Sequence, residues 1–194
     1  MTLPAPESFA PFDPFTWAVT WLLTQEGGYV HDPADHGGAT NRGITQATYN
    51  AWRKRQGKPI APVRECGLSE TRAIYRADYW DAVQGDALAE ISPNMALCVF
   101  DAAVQSGPPV AARTFQRTVH ATPDGVIGPV SLACYRLRRQ AMGDRVLVEA
   151  FLERRRGFYA AILLRDPTQR RFAAGWKHRR NALRAAVGLS PEEE

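Results

Sequence analysis

The sequence lacks the features that would make it a membrane-spanning, signal-bearing or nucleotide-binding protein. No window of the 194-residue chain approaches 18 consecutive apolar residues, so no transmembrane helix is expected. Residues 1–14 contain no lysine or arginine, and the apolar stretch at 17–23 is too short for a signal peptide. No P-loop, dinucleotide-binding glycine fingerprint or G-x-S-x-G elbow occurs. We therefore expect synthesis in the cytoplasm without a signal peptide, so that action outside requires a separate release route.

Cysteine is also scarce. The three cysteines cannot form a closed disulfide framework, and no C-x-x-C pair is present. A chain with this pattern is typical of a reducing compartment, where a cysteine packs as a small hydrophobic side chain. The residues concerned are Cys66, Cys98 and Cys134.

Charge is unevenly distributed along the chain. Residues 136–184 contain 13 arginines and one lysine against four acids, a local net charge of +10, whereas the rest of the chain carries −6 of the overall +4. Such a basic region favours an anionic partner, either a cell-envelope surface or nucleic acid, although a solvated helix face has the same composition. Nucleic-acid binding would rest on this arginine excess alone, and we expect none.

The periodicity of apolar residues predicts a mainly α-helical protein. Asp13, Thr45 and Ser92 stand where an N-cap is expected, and the segment after Ser92 is apolar nearly all round, as in a buried central helix. Strand signals are confined to the glycine-rich segment 29–42, where we expect a small hairpin or an irregular loop. Helices are expected at 13–26, 45–56, 69–80, 92–107, 109–120, 130–142, 145–164 and 176–187.

The organisation of the chain follows from composition. A proline-rich lead-in, expected to be flexible, precedes two helical regions, and the sequence Ser106-Gly-Pro-Pro109 marks a seam between them. The chain ends in a short acidic tail. The predicted divisions are 1–12, 13–107, 108–188 and 189–194.

Glu26 is the strongest candidate for a catalytic residue. It ends a tryptophan-rich helix just before two glycines, and a carboxyl group fixed against apolar surface favours the protonated form that a general acid needs. Asp35 follows nine residues later on a polar loop, where it could activate a water molecule that the Thr40 hydroxyl holds. Asp32 is the alternative second carboxylate, but it precedes a proline and resembles a turn residue, so we assign it to substrate binding. The spacing leaves inverting and retaining hydrolysis open.

Aromatic side chains near these acids are candidate platforms for a sugar polymer. Tyr29, Tyr79 and Trp80 are the predicted substrate-binding aromatics, although core packing is the ordinary role of any one of them. Gln105, a polar residue at the end of the central helix, is predicted to bind substrate as well.

A metal site is the competing interpretation. The segment 31–36 contains two histidines and two aspartates, which with His120 or His178 could hold zinc for an amidase. The spacing matches no H-E-x-x-H pair, so we predict no metal and no cofactor.

Five blocks of the sequence form a recognisable series. They are EGGY at 26–29 with the polar segment up to Thr45, IYRADYW at 74–80, FDAAV at 100–104, DGVIGP at 124–129 and FAAGWKHR at 172–179. Together they resemble glycoside hydrolase family 108, the N-acetylmuramidases found among phage endolysins and secretion-associated lysozymes. The resemblance extends over about residues 15–180, and Gln105-Ser106 departs from the asparagine expected after the third block.

The resemblance implies a lysozyme-like helical fold and hydrolysis of the β-1,4 bond between N-acetylmuramic acid and N-acetylglucosamine. Glu26 corresponds to the family's catalytic glutamate, and Asp35 and Thr40 fall where phage-type lysozymes keep their aspartate and threonine. Residues 13–107 would form the catalytic region and 108–188 a peptidoglycan-binding region. A monomer released by a holin or a secretion system, acting in the periplasm or cell wall, is expected. A peptidoglycan-binding module without catalysis is the alternative.

Overall fold

The computed structural model describes residues 12–30 and 39–192, which form nine α-helices and one two-stranded antiparallel sheet. The predicted mainly α-helical fold with a small β element is therefore confirmed. The helices are α1 (Pro14–Gln25), α2 (Gln46–Arg55), α3 (Leu68–Tyr75), α4 (Gly85–Ile91), α5 (Pro93–Ser106), α6 (Pro108–Thr118), α7 (Pro129–Met142), α8 (Asp144–Arg165) and α9 (Arg170–Ala186). The strands are β1 (Thr40–Asn41) and β2 (Ile44–Thr45). Within the described ranges, no helix combines the length and apolar character needed to cross a membrane.

The three predicted N-caps form as expected. The Asp13 carboxylate accepts hydrogen bonds from two backbone N–H groups in the first turn of α1, at 3.1 and 3.2 Å. The hydroxyls of Thr45 and Ser92 each accept one from the N–H group three residues on, both at 3.1 Å. These contacts satisfy donors that a helix leaves unpaired, which is why short polar side chains fix the starts of α1, α2 and α5.

Helix α5 is the centre of the fold, as its apolar sequence predicts. It contacts α1, α4, α6 and α8, and every residue from Met95 to Ala103 is buried. Asp101 is the one charged residue in this buried run. A charge in such a position requires a partner, and the partner lies in the second half of the chain.

The third predicted helix, 69–80, is interrupted. α3 ends at Tyr75 and continues as a π-helical turn, Arg76–Trp80, and a 3₁₀ turn, Asp81–Val83. The side chain of Trp80 then lies against the backbone of Gly85, where a Cβ atom would come within 2.3 Å of the indole ring. This close approach explains why a glycine begins α4, a helix that the apolar periodicity did not predict.

The last helix is longer than predicted. We expected it at 176–187, but α9 begins at Arg170, directly after a 3₁₀ turn at Pro167–Gln169. The carboxylate of Asp166 caps that turn by accepting from the N–H group of Thr168 at 3.0 Å. The polar residues at the start of α9 gave no apolar periodicity, because this turn of the helix is largely exposed.

One hydrophobic core extends through both helical regions. The chain turns at Gly107, whose φ of +84° favours glycine, and α6 begins at the next residue. Phe100 on α5, Phe115 on α6, Phe151 on α8 and Leu183 on α9 all belong to the same cluster of buried residues. The seam at 106–109 is therefore a tight turn between packed helices.

The ends of the chain and the cysteines complete the fold. The predicted lead-in, 1–12, lies outside the described residues except for Phe12. In the predicted acidic tail, Arg180 donates two hydrogen bonds to the Glu192 carboxylate, at 2.6 and 2.7 Å.

All three cysteines are free; Cys66 and Cys98 are buried, and burial raises the pKa of both thiols.

Candidate active site

Glu26 lies where α1 ends. Its backbone N–H group donates to the carbonyl of Leu22 at 3.2 Å, but its own backbone is extended, so the chain leaves the helix at this residue. The side chain is 16% exposed. The carboxylate is thus held by surrounding structure while one part of it stays open to solvent.

A two-residue hairpin packs against the Glu26 carboxylate. β1 and β2 pair antiparallel, and both residues of the connecting turn, Arg42 and Gly43, have positive φ angles of 49° and 76°. This is the conformation of a type I′ turn, whose twist suits a tight hairpin. A Cβ atom on Gly43 would lie 2.7 Å from Glu26 Oε2 and 2.6 Å from the hydroxyl of Tyr75. The absence of a side chain at Gly43 therefore makes room for the carboxylate.

Tyr75 holds the hairpin turn in place. Its hydroxyl donates to the carbonyl of Arg42 at 2.7 Å. Burial, together with the nearby charge of Glu26, raises the pKa of Tyr75, so the phenol keeps its proton at neutral pH and remains a donor. The turn beside the candidate acid is consequently fixed by a buried hydrogen bond.

An arginine from the end of the chain pairs with Glu26. Nη1 of Arg179, on α9, donates to Glu26 Oε1 at 2.7 Å, across 153 residues of sequence. The same guanidinium donates through Nε to Asp101 at 2.8 Å. The sequence interpretation placed Glu26 against apolar surface, whereas the structure places it against a guanidinium. This contact joins residues far apart in sequence, so the local pattern around Glu26 does not reveal it.

A buried ion pair supports this contact. Arg155 on α8 donates to the second oxygen of Asp101 at 2.7 Å, and the two side chains are only 4% and 1% exposed. The Asp101 carboxylate raises the pKa of Arg155 against the opposing effect of burial. Glu26, Arg179, Asp101 and Arg155 thus form a chain of alternating charges, which we call the carboxylate–arginine cluster.

A cleft adjoins this cluster. Its volume is about 250 Å³, and its walls include Gln105, Phe158, Tyr159 and Trp176. Tyr159 and Trp176 stack with ring centroids 4.8 Å apart, and the Tyr159 hydroxyl donates to Gln105 at 2.6 Å. Aromatic faces beside an amide provide stacking and hydrogen bonding together, which a sugar ring requires. Gln105 also accepts from Arg155 at 3.3 Å, so a hydrogen bond connects the cleft to the cluster.

A second cleft neighbours the first and shares Phe158 with it. It has a volume of about 360 Å³ and is lined by Thr114, Arg117, Arg154, Gly157 and Phe158. No side chain that lines this second cleft forms a hydrogen bond with the carboxylate–arginine cluster, whereas Gln105 of the first cleft accepts one from Arg155. We therefore place the candidate chemistry by the cluster and its adjoining cleft rather than by cavity size.

The other predicted site residues have different surroundings. Tyr29 is exposed, and Tyr79 is half-buried against the ring of Tyr75. Thr40 is partly buried in β1. Asp32 and Asp35 lie outside the described residues.

The prediction that Trp80 binds substrate is wrong. Its side chain is fully buried, its ring packs edge-on against Phe15 and Phe100, and its Nε1–H group donates to Asp86 at 2.8 Å. The interruption after α3 is the physical reason, because a π-helical turn changes the face on which a side chain projects. Trp80 is therefore a core residue.

Metal ligation is tested only in part. No group of three or more histidine, cysteine or acidic side chains within 12–30 and 39–192 could hold a metal ion. The segment 31–36, on which the zinc interpretation depended, lies outside the described residues.

The sequence alone did not identify three members of the carboxylate–arginine cluster as site residues. Asp101 and Arg179 lie within blocks on which the family resemblance rests, FDAAV and FAAGWKHR, but no role was assigned to them. For Asp101 a signal was available, since it is the one charge in an otherwise apolar helix. Arg155 is flanked by two other arginines, so nothing in the sequence distinguishes it.

Comparisons with known proteins agree with this arrangement. The family model described as "Glycosyl hydrolase 108" matches residues 19–107, and the one described as "Predicted Peptidoglycan domain" matches residues 110–181. A solved structure entitled "Structure of Brucella abortus SagA" is 32% identical, with a TM-score of 0.73 over 92% of this chain and 97% of that one. No curated protein gives a significant match. With Glu26 and its hairpin inside the first matched region and Arg179 inside the second, the chain belongs to glycosyl hydrolase family 108 and is a peptidoglycan hydrolase.

Proposed function

We propose that this protein is an N-acetylmuramidase in which Glu26 protonates the glycosidic oxygen between N-acetylmuramic acid and N-acetylglucosamine. The observation that carries the proposal is the setting of the Glu26 carboxylate. Arg179 of α9 donates to it at 2.7 Å and Gly43 of the hairpin leaves room for it, yet it stays partly exposed. A fixed and accessible carboxyl group beside a cleft is what general acid catalysis of glycoside hydrolysis requires.

The ion pair with Arg179 fits the state of Glu26 after proton transfer. A protonated Glu26 gives its proton to the leaving oxygen and becomes a carboxylate, and the Arg179 guanidinium at 2.7 Å stabilises that negative charge. A second protonation, by solvent or by the water that attacks the sugar, returns the acid for the next cycle. The open part of the Glu26 side chain provides the route for that proton.

Asp35 and Thr40 complete the proposed chemistry. Val30 and Thr40 exchange two backbone hydrogen bonds, both at 2.9 Å, so the described residues before Asp32 and after Asp35 are held together. We assign the second carboxylate to Asp35, with Thr40 holding the attacking water and Asp32 contacting substrate. This is the arrangement expected for an inverting enzyme, in which the two carboxyl groups are roughly 6.5–9.5 Å apart.

The glycan strand would lie along the aromatic cleft. Tyr159, Trp176 and Gln105 provide stacking faces and an amide for an N-acetylated sugar, and we assign the exposed Tyr29 and the half-buried Tyr79 to further contacts with the strand. In the cell, we propose an endolysin-type role as a monomer that a holin or a secretion system releases to the periplasm or cell wall. The match of residues 110–181 to the model described as "Predicted Peptidoglycan domain" supports action on the cell wall.

Identification of the bond cleaved tests the proposed function. Soluble fragments released from purified sacculi would be reduced with borohydride and analysed by mass spectrometry. A muramidase gives reduced N-acetylmuramic acid at the new end, because cleavage frees its anomeric carbon. Reduced N-acetylglucosamine would contradict the proposal.

Two further outcomes separate the alternatives. Release of free stem peptides, abolished by EDTA, would replace the proposal with a zinc amidase using His31 and His36. Binding to sacculi without any fragment release would identify a peptidoglycan-binding module that has lost catalysis.

Replacement of Gly43 by alanine is expected to disturb the acid directly. The new methyl group would overlap the Glu26 carboxylate and the Tyr75 hydroxyl, so both must move. A displacement of about 1 Å in a catalytic group can cost about 100-fold in rate. We therefore expect Gly43→Ala to lower the rate of dye release from labelled sacculi by about that factor.

Gly57→Ala is the matched control for Gly43→Ala. Gly57 also has a positive φ, +67°, but a Cβ atom there would meet no atom within 4 Å. Both variants should lose roughly 1–2 kcal/mol of stability from the unfavourable backbone conformation, and Gly43→Ala about 1–3 kcal/mol more from the overlap with its neighbours, as measured by urea unfolding. Only Gly43→Ala should lose activity. Equal activity in the two variants would show that Gly43 does not position Glu26.

A further inference from the structure

We propose that Arg179 is a positioning residue for Glu26, and that the region matching the peptidoglycan domain model is therefore a part of the catalytic unit rather than a separate wall-binding module. The inference rests on the proposed function, since it assumes that Glu26 is the acid. It assigns to residues 110–181 a role in catalysis that the description of that family model does not include.

The Arg179 guanidinium contacts two carboxylates at once. Its Nη1 lies 2.7 Å from the Glu26 carboxylate, and its Nε lies 2.8 Å from the Asp101 carboxylate. The Arg179 side chain is only 11% exposed. Because a guanidinium is planar and rigid, fixing its Nε edge on Asp101 also fixes the direction in which Nη1 meets Glu26.

The Asp101 carboxylate is itself immobilised. Its other oxygen accepts from Arg155 at 2.7 Å, and Arg155 donates in turn to Gln105 and to the Tyr159 hydroxyl, both at 3.3 Å. Buried polar networks of this kind fix a unique arrangement of their members. The orientation of Glu26 thus depends on helices α5, α8 and α9 together.

One donor of the Arg179 guanidinium takes part in neither of these contacts. Its Nη2 group is buried and has no hydrogen-bond partner among the residues that the structure describes. Arg184 Nη1 on the same helix is also buried and without a hydrogen-bond partner among these residues, but only the Arg179 guanidinium contacts a candidate catalytic carboxylate. We infer that Nη2 donates a hydrogen bond to the second oxygen of Glu26 when the carboxylate gains full charge. The two side chains then form a bidentate pair.

The boundary between the two regions that the family models match lies within one network of ion pairs. The first family match ends at residue 107 and the second begins at residue 110, yet the contacts of Arg179 and Arg155 with Glu26 and Asp101 cross it. A separate wall-binding module would keep its buried arginines paired within itself. Here two buried arginines of the second region satisfy two acids of the first.

The test compares Arg179→Ala with Arg184→Ala, using steady-state kinetics on a defined soluble glycan substrate. Arg184 is the matched control, because it is a buried arginine on the same helix, paired with Glu149 at 2.9 Å and without a contact to the carboxylate–arginine cluster. At a temperature where both variants are folded, we expect Arg179→Ala to lose about 100-fold in kcat with little change in KM. Arg184→Ala should keep the wild-type kcat.

Chemical rescue separates positioning from structural damage. Low millimolar guanidinium ion should restore part of the kcat of Arg179→Ala and leave Arg184→Ala unchanged, and Arg179→Lys should keep an intermediate kcat. A wild-type kcat in Arg179→Ala would overturn the inference, as would a loss that neither guanidinium nor lysine repairs. If Glu26→Gln is inactive while Arg179→Ala is fully active, this inference fails and the proposed function stands. If the wild type releases no glycan fragments, the proposed function itself has failed.

Discussion

Glu26→Gln is expected to abolish nearly all peptidoglycan hydrolysis while keeping the fold. An amide cannot donate a proton to the leaving oxygen, and loss of general acid catalysis costs about 100- to 10,000-fold in rate. The fold should survive, because the amide oxygen of glutamine can still accept the hydrogen bond that Arg179 Nη1 donates to Glu26 Oε1. The measurement is the initial rate of dye release from labelled sacculi, with the melting temperature recorded in parallel.

Glu90→Gln provides the control for this substitution. Glu90 is an exposed glutamate at the end of α4, so the same chemical change is made on the surface. We expect wild-type activity from it. A Glu26→Gln enzyme that retains more than about a tenth of the wild-type rate would remove Glu26 from the mechanism.

Asp101→Ala is expected to give the largest loss of stability. It removes the carboxylate that both Arg155 and Arg179 contact, leaving two guanidinium groups in the core with one partner fewer each. Removing one partner of a buried ion pair costs roughly 3–5 kcal/mol. In a chain of this length each kcal/mol lowers the melting temperature by about 2–4 °C, so a fall of about 6–20 °C is expected. Urea unfolding and thermal melting both measure it.

A surface ion pair gives the comparison for Asp101→Ala. Asp81 also pairs with an arginine, Arg76, at 2.8 Å, but the two side chains are 51% and 37% exposed. Because surface pairs contribute only about 0–1 kcal/mol, Asp81→Ala should be nearly neutral. Similar losses in the two variants would mean that the carboxylate–arginine cluster does not stabilise the fold in the way its burial indicates.

The sequence was sufficient for features that depend on neighbouring residues. A short polar side chain before an apolar run located the starts of α1, α2 and α5, since capping is a local interaction. The glycine-rich segment 29–42 predicted a small hairpin or an irregular loop, and a hairpin of β1 and β2 lies at its end, with β2 beyond the predicted bounds. Glu26 was recognised because the end of a helix, two glycines and a polar loop lie together within a few residues.

Features that depend on distant residues could not be predicted in this way. Trp80 was assigned to the substrate as an aromatic side chain that could form a platform for a sugar near the acids, whereas the chain passes through a π-helical turn and Trp80 lies in the core. The pairing of Glu26 with Arg179 spans 153 residues. No local pattern specifies such a contact, which exists only once the helices of both regions have packed.

The role of the arginines in the basic C-terminal region could not be predicted from local sequence either. Its net charge indicated a surface for an anionic partner, yet several of its arginines are buried and paired with acids. Each of these arginines offsets a carboxylate of the fold rather than attracting one from outside. The buried or nearly buried ones are Arg155, Arg179, Arg180 and Arg184.

The central claim is that Glu26 donates a proton to a leaving oxygen, and a substrate that needs no such proton tests it most directly. The rates of wild type and Glu26→Gln would be compared on sacculi and on a dinitrophenyl glycoside of the N-acetylglucosamine–N-acetylmuramic acid disaccharide. Dinitrophenolate leaves without protonation, so a variant lacking only the acid keeps its activity on that substrate. We predict a loss of at least about 100-fold on sacculi and of less than about tenfold on the dinitrophenyl glycoside. Equal losses on both substrates would contradict the assignment of Glu26 as the general acid.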